Sequence, residues 1–575
     1  MSITPENWKV EKIAVVGPGI VGMPMAAMLA HAKIRIGTDT PAKVVVVQRN
    51  SPTSGWKVDA IIAGKSIIGG IEPELDRIVK DAVAEGLLSA THSYAQLSDA
   101  DVVLVCIQTD KDGMGIGPDY KPLFEGLRGL AAALQEKPPE KLPLIIFEST
   151  LAPSSMCTVI KDFFSKCGLA EGRDILLGNS PNRVMPGRLV ERVADSDKLI
   201  GGLSSLTTEL IDKLYSNIVT KGILYQTNSM TAEIVKTLEN AYRDVRIAYS
   251  SEIVRYCDTN DIDFYQVRDQ VNHRLSQEDA ASENPNTVPI GGLLIPTIGV
   301  GGHCLPKDGI LMLWRQLERD QNTNDSVILE SRMINDSSPA KTIQGIEEKF
   351  GDISGKSIAL LGTAYRFNSE DTRNSPTLQL AKLLLDKGCS VAMHDPFVKP
   401  NDQKLQQFNL QDYFTEDLEK AMNQVEIAVF CTAHQKYSEA RETILHLAPQ
   451  LKGIFDGCNL YKKSDFIEDQ VCYSGIGRGT KPPEPKFVDF VYEGFRIMER
   501  GVANEVRKFV DFANGRYAAD DFNRVDFKEV QRVARTCVTG CDILDPGPVK
   551  SIPDYKGFIP QLLQCAKKAY DKQQI

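Results

Sequence analysis

A short apolar strand, Lys12-Ile-Ala-Val-Val-Gly17, runs directly into Gly17-Pro-Gly19-Ile20-Val21-Gly22 and from there into an apolar helix, Met23-Pro-Met-Ala-Ala-Met-Leu-Ala-His-Ala32. After a polar loop, Val44-Val-Val-Val47 reads as a second buried strand. This order of strand, glycine turn, helix and strand constrains the fold more than any other feature. A GxGxxG match alone is weak. Between a strand and a helix it is the dinucleotide-binding fingerprint, in which a pyrophosphate rests on the helix N-terminus. Gly17, Gly19, Ile20, Val21 and Gly22 are therefore candidate cofactor contacts.

Further α/β units follow. Asp101-Val-Val-Leu-Val-Cys-Ile-Gln-Thr109 and Leu144-Ile-Ile-Phe-Glu-Ser-Thr150 read as buried strands, both ending in hydroxyl residues where open parallel sheets bind ligands. The first domain closes near Ile200-Gly-Gly202. From Thr231 to Asn260 no glycine or proline interrupts the chain, and apolar residues recur at Ile234, Leu238, Tyr242, Val245, Tyr249 and Ile253. That spacing predicts one long helix with one buried stripe. Lys236 and Asn240 share a face of it, and spacing alone favours a solvated pair. A second α/β pattern starts at Lys356-Ser-Ile-Ala-Leu-Leu-Gly362. It lacks the GxGxxG turn, so it is expected to hold something other than a dinucleotide. Lys481-Pro-Pro-Glu-Pro-Lys486 reads as a stiff linker. Beyond it a stripe at Phe495, Met498, Val502, Val506 and Phe509 calls for packing on the body or on another subunit. The expected class is α/β: two Rossmann-like doubly wound domains (1–210 and 336–480) joined by a long central helix within 211–335, plus an extension at 481–575 of unknown role.

Composition narrows the partners. A chain of 575 residues is too long for one core. A net charge of −10 with no basic block argues against nucleic acid. No apolar run reaches the roughly 18 residues of a membrane span, and the N-terminus shows no basic region followed by an apolar core and cleavage site. The 12 cysteines are scattered through apolar surroundings, which suits reduced thiols in a cytoplasmic protein. Cys537 and Cys541 are the closest pair, with no second pair beside them, so no metal is expected.

One cysteine has unusual neighbours. In Gly299-Val-Gly301-Gly-His-Cys304-Leu-Pro-Lys307-Asp308, glycines allow close approach to the backbone, and a nearby lysine and histidine favour the reactive thiolate.

With Glu72-Pro-Glu-Leu75, Glu148-Ser-Thr150, Ser180-Pro-Asn182-Arg183 followed by Pro186-Gly187, Lys236 with Asn240, and Asp371-Thr-Arg373-Asn-Ser-Pro376, these motifs fall in one order. Over roughly residues 10 to 480 the chain resembles the UDP-glucose/GDP-mannose dehydrogenase family of nucleotide-sugar 6-dehydrogenases. The resemblance implies oxidation of a sugar C6 alcohol to a carboxylate with two NAD molecules. It gives Cys304 the role of nucleophile, Lys236 that of oxyanion stabiliser, Asn240 a hold on sugar or water, and Asp308 proton transfer. Thr150 falls near the C6 chemistry, and Thr109, Thr150 and Arg373 fall near the cofactor. Asn182, Arg183, Lys236, Asn240, Gly301 and Arg366 fall among the substrate contacts, Arg366 replacing the family's usual lysine. Subunits of the family pair through the central-helix region, so a homodimer or larger even oligomer is expected. Gly-Gly-His-Cys, Glu-Ser-Thr and Tyr473-Ser-Gly-Ile-Gly-Arg-Gly479 look like the branch acting on UDP-N-acetylglucosamine or UDP-N-acetylmannosamine, with UDP-glucose second.

Three positions depart from the family pattern. Asn182 stands where a glutamate assists thioester hydrolysis, and an amide cannot be a general base. Cys458 stands where an arginine often reaches the substrate. Gln48, followed by Arg49, replaces the acidic residue that binds the ribose hydroxyls, which leaves NADP open beside NAD. These departures keep a slow or partial-oxidation variant and a non-catalytic nucleotide-sugar-binding homologue in view.

Overall fold

The computed structural model describes residues 3–111, 117–184, 186–280, 292–320, 325–466, 471–537 and 540–571. By packing, the chain divides into two compact units. One comprises Met1–Glu239, Ile310–Gln321 and Phe509–Val538; the other comprises Asn240–Gly309, Asn322–Lys508 and Thr539–Ile575. The segments 211–335 and 481–575 are thus each shared between the two.

The first unit is built on β1 (Lys12–Val16), β2 (Lys43–Val47), β3 (Leu88–Thr91), β4 (Val102–Val105), a small β5 (Asp110–Lys111) and β6 (Pro118–Asp119) pair, β7 (Leu144–Phe147), β8 (Leu176–Asn179), β9 (Lys198–Gly202) and β10 (Leu224–Asn228). Its eight-stranded sheet runs β10-β9-β8-β7-β4-β1-β2-β3. All neighbours are parallel except β8 and β9, which meet at Gly178–Gly202 and Asn179–Gly201. The strands are short runs of Val, Ile and Leu buried on both faces, as helices on either side of a parallel sheet require. Strand order reverses between β1 and β4, where helix α1 (Gly22–His31) begins. The crevice at such a reversal is where doubly wound sheets bind ligands.

The second unit carries a six-stranded parallel sheet, β13-β12-β11-β14-β15-β16, from β11 (Ser357–Leu361), β12 (Ser390–His394), β13 (Phe414–Thr415), β14 (Ile427–Phe430), β15 (Gly453–Asp456) and β16 (Cys472–Gly475). Its order again reverses beside the first strand of the set. Both expected Rossmann-like sheets are present.

Helix α2, Ser229–Thr259, spans 31 residues as the periodicity predicts. The prediction of a single buried stripe is corrected, because the helix is buried on nearly every side. Glu233, Glu239, Asp244 and Arg246 are as hidden as Ile234 or Leu238. A buried charge is tolerated only when hydrogen-bonded or paired, and each unit supplies partners for its own part of the helix. In the first, Glu233 accepts the backbone N–H groups of Ser154 and Met156, both at 2.8 Å, and Glu239 pairs with Arg183. In the second, Asp244 takes Arg332 at 2.8 Å and Arg246 donates to the carbonyls of Gly292 and Gly540.

Helix α3 spans Leu305–Asp320 and α4 spans Pro376–Asp386. Helix α5, Pro485–Asn514, starts on the proline that ends the expected linker. It lays Phe487, Val491 and Phe495 along α2: Phe487 stacks on Tyr256 at 5.1 Å, and the Tyr249 hydroxyl donates to the Val491 carbonyl at 2.9 Å. Burying one such phenylalanine stabilises by about 1.5–3 kcal/mol. The two helices also cap other helices reciprocally. Glu505 of α5 accepts from the Ser326 hydroxyl and, at 3.3 Å, from the Ile328 N–H, where the helix Val327–Asp336 begins. Glu252 of α2 accepts from the N–H groups of Gln561 at 2.6 Å and Leu562 at 3.2 Å, where the helix Gln561–Asp571 begins.

Burial pushes both capping carboxyls, Glu252 and Glu505, up to about 7 from 4.5. An acid raised in the folded state contributes stability that is full below its unfolded value and lost as pH rises through the folded one. Melting temperature is therefore expected to fall as pH rises from about 5 to 8. Glu252→Gln with Glu505→Gln should flatten that slope, as read by calorimetry; an unchanged slope would place the titration elsewhere.

Candidate functional site

In the first unit the glycine turn has the geometry a dinucleotide needs. Gly17 has φ +92°, and a Cβ there would lie 3.1 Å from the Cys106 carbonyl oxygen. A Cβ on Gly22 would fall 2.2 Å from the Gly17 carbonyl oxygen, whereas one on Gly19 would meet nothing within 4 Å. Two glycines thus close the turn, and the middle one leaves its backbone approachable. Ile20 and Val21 are half-buried beside it. These residues fit an NAD pyrophosphate on the N-terminus of α1.

At the end of β2, the Gln48 amide donates to the Ser54 hydroxyl at 2.9 Å, and Arg49 forms an exposed ion pair with Glu125 at 2.9 Å. Arg49 is therefore already engaged, and a 2′-phosphate would have to draw it from Glu125. Thr109 donates to the Thr150 carbonyl at 2.5 Å, joining the carboxyl ends of two strands.

Below Thr150 lies a cluster that the sequence did not reveal. Glu148 is buried and accepts from Lys198 at 2.9 Å, from Asn182 at 3.1 Å and from the Tyr215 hydroxyl. The Asn182 side-chain oxygen accepts the Val184 N–H at 3.1 Å, so both ends of this amide are fixed. Arg183 is held in the interior: besides Glu239 it donates to the Thr536 hydroxyl at 3.0 Å and the Asp197 carbonyl at 3.1 Å. Lys236 stands apart. It is only 8 % exposed, and among the described residues no ion-pair or hydrogen-bond partner meets its ammonium.

In the second unit, Gly301 and Gly302 lead to Cys304, which is exposed at the N-terminus of α3. Its carbonyl accepts the N–H groups of Lys307 at 3.1 Å and Asp308 at 2.9 Å, and the partial positive charge of the helix end favours an anion there. A Cβ on Gly301 or Gly302 would strike Tyr365 at 2.4 and 2.9 Å, so both positions need glycine. The Gly302 N–H donates to the Arg373 carbonyl at 2.8 Å, and Asn374 donates to the Gly302 carbonyl at 2.9 Å, bracing the cysteine loop. Asp308 is fully buried one turn into α3. Asn240 donates to one of its oxygens at 2.6 Å, and Lys307 pairs with the other at 2.5 Å. The lysine expected to favour the thiolate is thus engaged with Asp308.

Arg373 is paired bidentately with Asp371 at 2.9 and 2.5 Å, a partner two residues away that the motif contained but the residue roles passed over. Arg366 is half-buried, 5.2 Å over the Phe367 ring. Burial pushes the Cys458 thiol well up, as expected of a packed rather than a reactive cysteine.

Three family models match the chain, all from the UDP-glucose/GDP-mannose dehydrogenase family: the NAD binding domain over residues 11–219, the central domain over 230–337 and the UDP binding domain over 359–463. The UDP-N-acetyl-D-mannosamine dehydrogenase of Pyrococcus horikoshii is 31% identical over 475 residues, covering 81% of this chain and 99% of that protein. The enzyme of the same name from Campylobacter jejuni is 29% identical, covering 75% and 97%. Among solved structures, the NDP-N-acetyl-D-galactosaminuronic acid dehydrogenase of Methanosarcina mazei aligns at TM-score 0.65 with 30% identity, covering 82% of this chain and 96% of that one.

Because Arg49 is tied to Glu125, Glu125→Ala is expected to improve NADP binding several-fold. Gln48→Asp is expected to weaken NADP about tenfold relative to NAD, or about 1.4 kcal/mol. Cofactor titrations followed by protein fluorescence check both; an unmoved NADP affinity would place residues 48 and 49 away from the ribose.

Proposed function

The chain belongs to the UDP-glucose/GDP-mannose dehydrogenase family, and on that premise we propose that it oxidises C6 of a UDP-N-acetylhexosamine through a covalent intermediate on Cys304. It is an NAD-dependent oxidoreductase of the nucleotide-sugar dehydrogenases. UDP-N-acetylmannosamine and UDP-N-acetylglucosamine are the favoured substrates, the first supported by the names of two relatives above; UDP-glucose is the alternative. The observation that carries the chemistry is Lys236: a lysine only 8 % exposed, whose ammonium meets no partner among the described residues, is suited to an oxygen that gains negative charge during reaction.

NAD, when bound, supplies the acceptor for each of two hydrides leaving C6. The residues do the rest. The Cys304 sulfur adds to the aldehyde carbon left by the first oxidation, and Lys236 stabilises the resulting oxyanion. Loss of the second hydride leaves a thioester. Water adds to its carbonyl carbon, the C–S bond breaks, the electron pair returns to sulfur, and Asp308, positioned by Asn240 and Lys307, accepts the water's proton. Thr109, Thr150 and Arg373 are assigned to the cofactor, and Gly301 and Arg366 to the sugar nucleotide. Arg183 and Asn182 are assigned to the sugar nucleotide by the family resemblance.

Asn182 cannot take a proton, so hydrolysis is expected to limit the rate. A general base contributes typically about 10²–10⁴-fold, or roughly 3–5 kcal/mol of barrier. Stopped-flow absorbance should show a burst of reduced cofactor before a slow steady state, and intact-protein mass spectrometry should find the sugar nucleotide on Cys304. Cys304→Ser should abolish the adduct. Two reduced cofactors per sugar mark the full oxidation, one an alcohol dehydrogenase and none a binding homologue; a fast steady state without adduct would sink the covalent limit.

A homodimer or larger even oligomer is proposed from the family resemblance alone. The apolar stripe of α2 no longer supports it, because Tyr242 and Tyr249 are buried within one chain, Tyr249 against Phe495 with ring centroids 6.0 Å apart. Light scattering at micromolar concentration should show at least two copies; a monomer would indicate that the extension has taken over that face.

A further inference from the structure

The family models end at residue 463, yet the extension beyond them carries a pocket of its own. Arg496 and Arg500 sit one turn apart on α5 and share a face. The segment around Lys550 and Ser551 crosses that face, and the Pro548 carbonyl accepts weakly from Arg500 at 3.5 Å. Together they line an open pocket of about 300 Å³, with Ile497 and Val549 as its apolar wall. That is the lower end of small-ligand cavities, roughly 300–1,000 Å³.

The charge of this pocket is one-sided. Arg496 pairs at 2.9 Å with Glu499, which also accepts from the Tyr242 hydroxyl at 2.5 Å. Burial pushes the Glu499 carboxyl up to about 7. Arg500, Lys550 and Ser551 are exposed, and among the described residues no carboxylate pairs with Arg500 or Lys550. Guanidinium forks match phosphate oxygens bidentately, a lysine adds a point charge, and a hydroxyl adds a donor.

We propose that this pocket binds a phosphorylated small molecule, its phosphate on Arg500, Lys550 and the Ser551 hydroxyl and its apolar part on Ile497 and Val549. None of its lining residues belongs to the dinucleotide turn or to the Cys304 loop. Arg496 links it to Tyr242, two residues along α2 from Asn240, so occupancy bears on a helix that also carries site residues.

The test is isothermal titration of the full chain with inorganic pyrophosphate, in saturating NAD and UDP so that the dinucleotide and UDP domains are filled. One remaining site is expected. Arg500→Glu with Lys550→Glu should weaken it at least tenfold, and the milder Lys550→Ala about threefold, with circular dichroism and NAD-dependent activity unchanged. Lys486→Glu with Arg516→Glu alters the net charge equally, away from the pocket, and should move the affinity less than twofold. Absence of a remaining site, equal loss in the control pair, or no loss in the pocket variants would overturn the proposal.

Discussion

A helix buried on nearly every side must find a partner for each charge it hides, and α2 meets that demand with one exception. Glu233, Glu239, Asp244, Arg246, Glu252 and Asp258 all meet backbone groups or opposite charges. Lys236 does not, among the described residues. A lysine this little exposed and without a partner stands out on a helix whose other hidden charges are all engaged. The exception is rational if the missing negative charge arrives with the substrate and grows as C6 reacts. On the proposed function, one helix would serve both as a buried element of the fold and as the mount of Lys236 and Asn240.

How much of this was legible follows from how local each feature is. The glycine turn is six residues between a strand and a helix, so the close packing at Gly17 and Gly22 and the open backbone at Gly19 could be anticipated from the sequence. The Cys304 loop was equally local, and Asp308 and Asn240 came from motifs in fixed order. What stayed hidden was assembled from distant pieces. Glu148, Asn182, Lys198 and Tyr215 come from four segments, and no periodicity connects them. The all-round burial of α2 was hidden because charged residues read as a solvated face until their partners, such as Arg183 for Glu239, are known. Glu505 and Glu252 lay on helices whose stripes were visible, but a capping carboxylate is defined by the helix it meets.

The Glu148 cluster changes the meaning of Asn182. Read alone, the asparagine is a lost base. In the fold it is a neutral donor 3.1 Å from a buried carboxylate that already has one cation, Lys198. A glutamate in the same rotamer would set two carboxylates side by side with one lysine between them, and one would be driven toward its protonated form. The amide removes that conflict, and its price is a base. On the proposed function, the position would trade proton transfer for a settled interior and leave the hydrolytic step to Asp308.

The surroundings of Asp308, the base of the proposed hydrolysis, leave it no freedom to turn. Asn240 fixes one oxygen and Lys307 the other, and the first turn of α3 fixes the backbone relative to Cys304. A carboxylate so held is slower to reorient than a free one but spends no entropy on alignment when water arrives. The reciprocal caps between α2, α5 and their partner helices extend this logic beyond the family-matched region. Glu252 anchors the last helix, Glu505 anchors the helix that follows α3, and Tyr249 and Tyr256 are sealed under α5. Within the second unit, α5 of the extension is thus bonded to α2 through the Tyr242 and Tyr249 hydroxyls rather than hung beside it, so that the packing of one helix constrains the other.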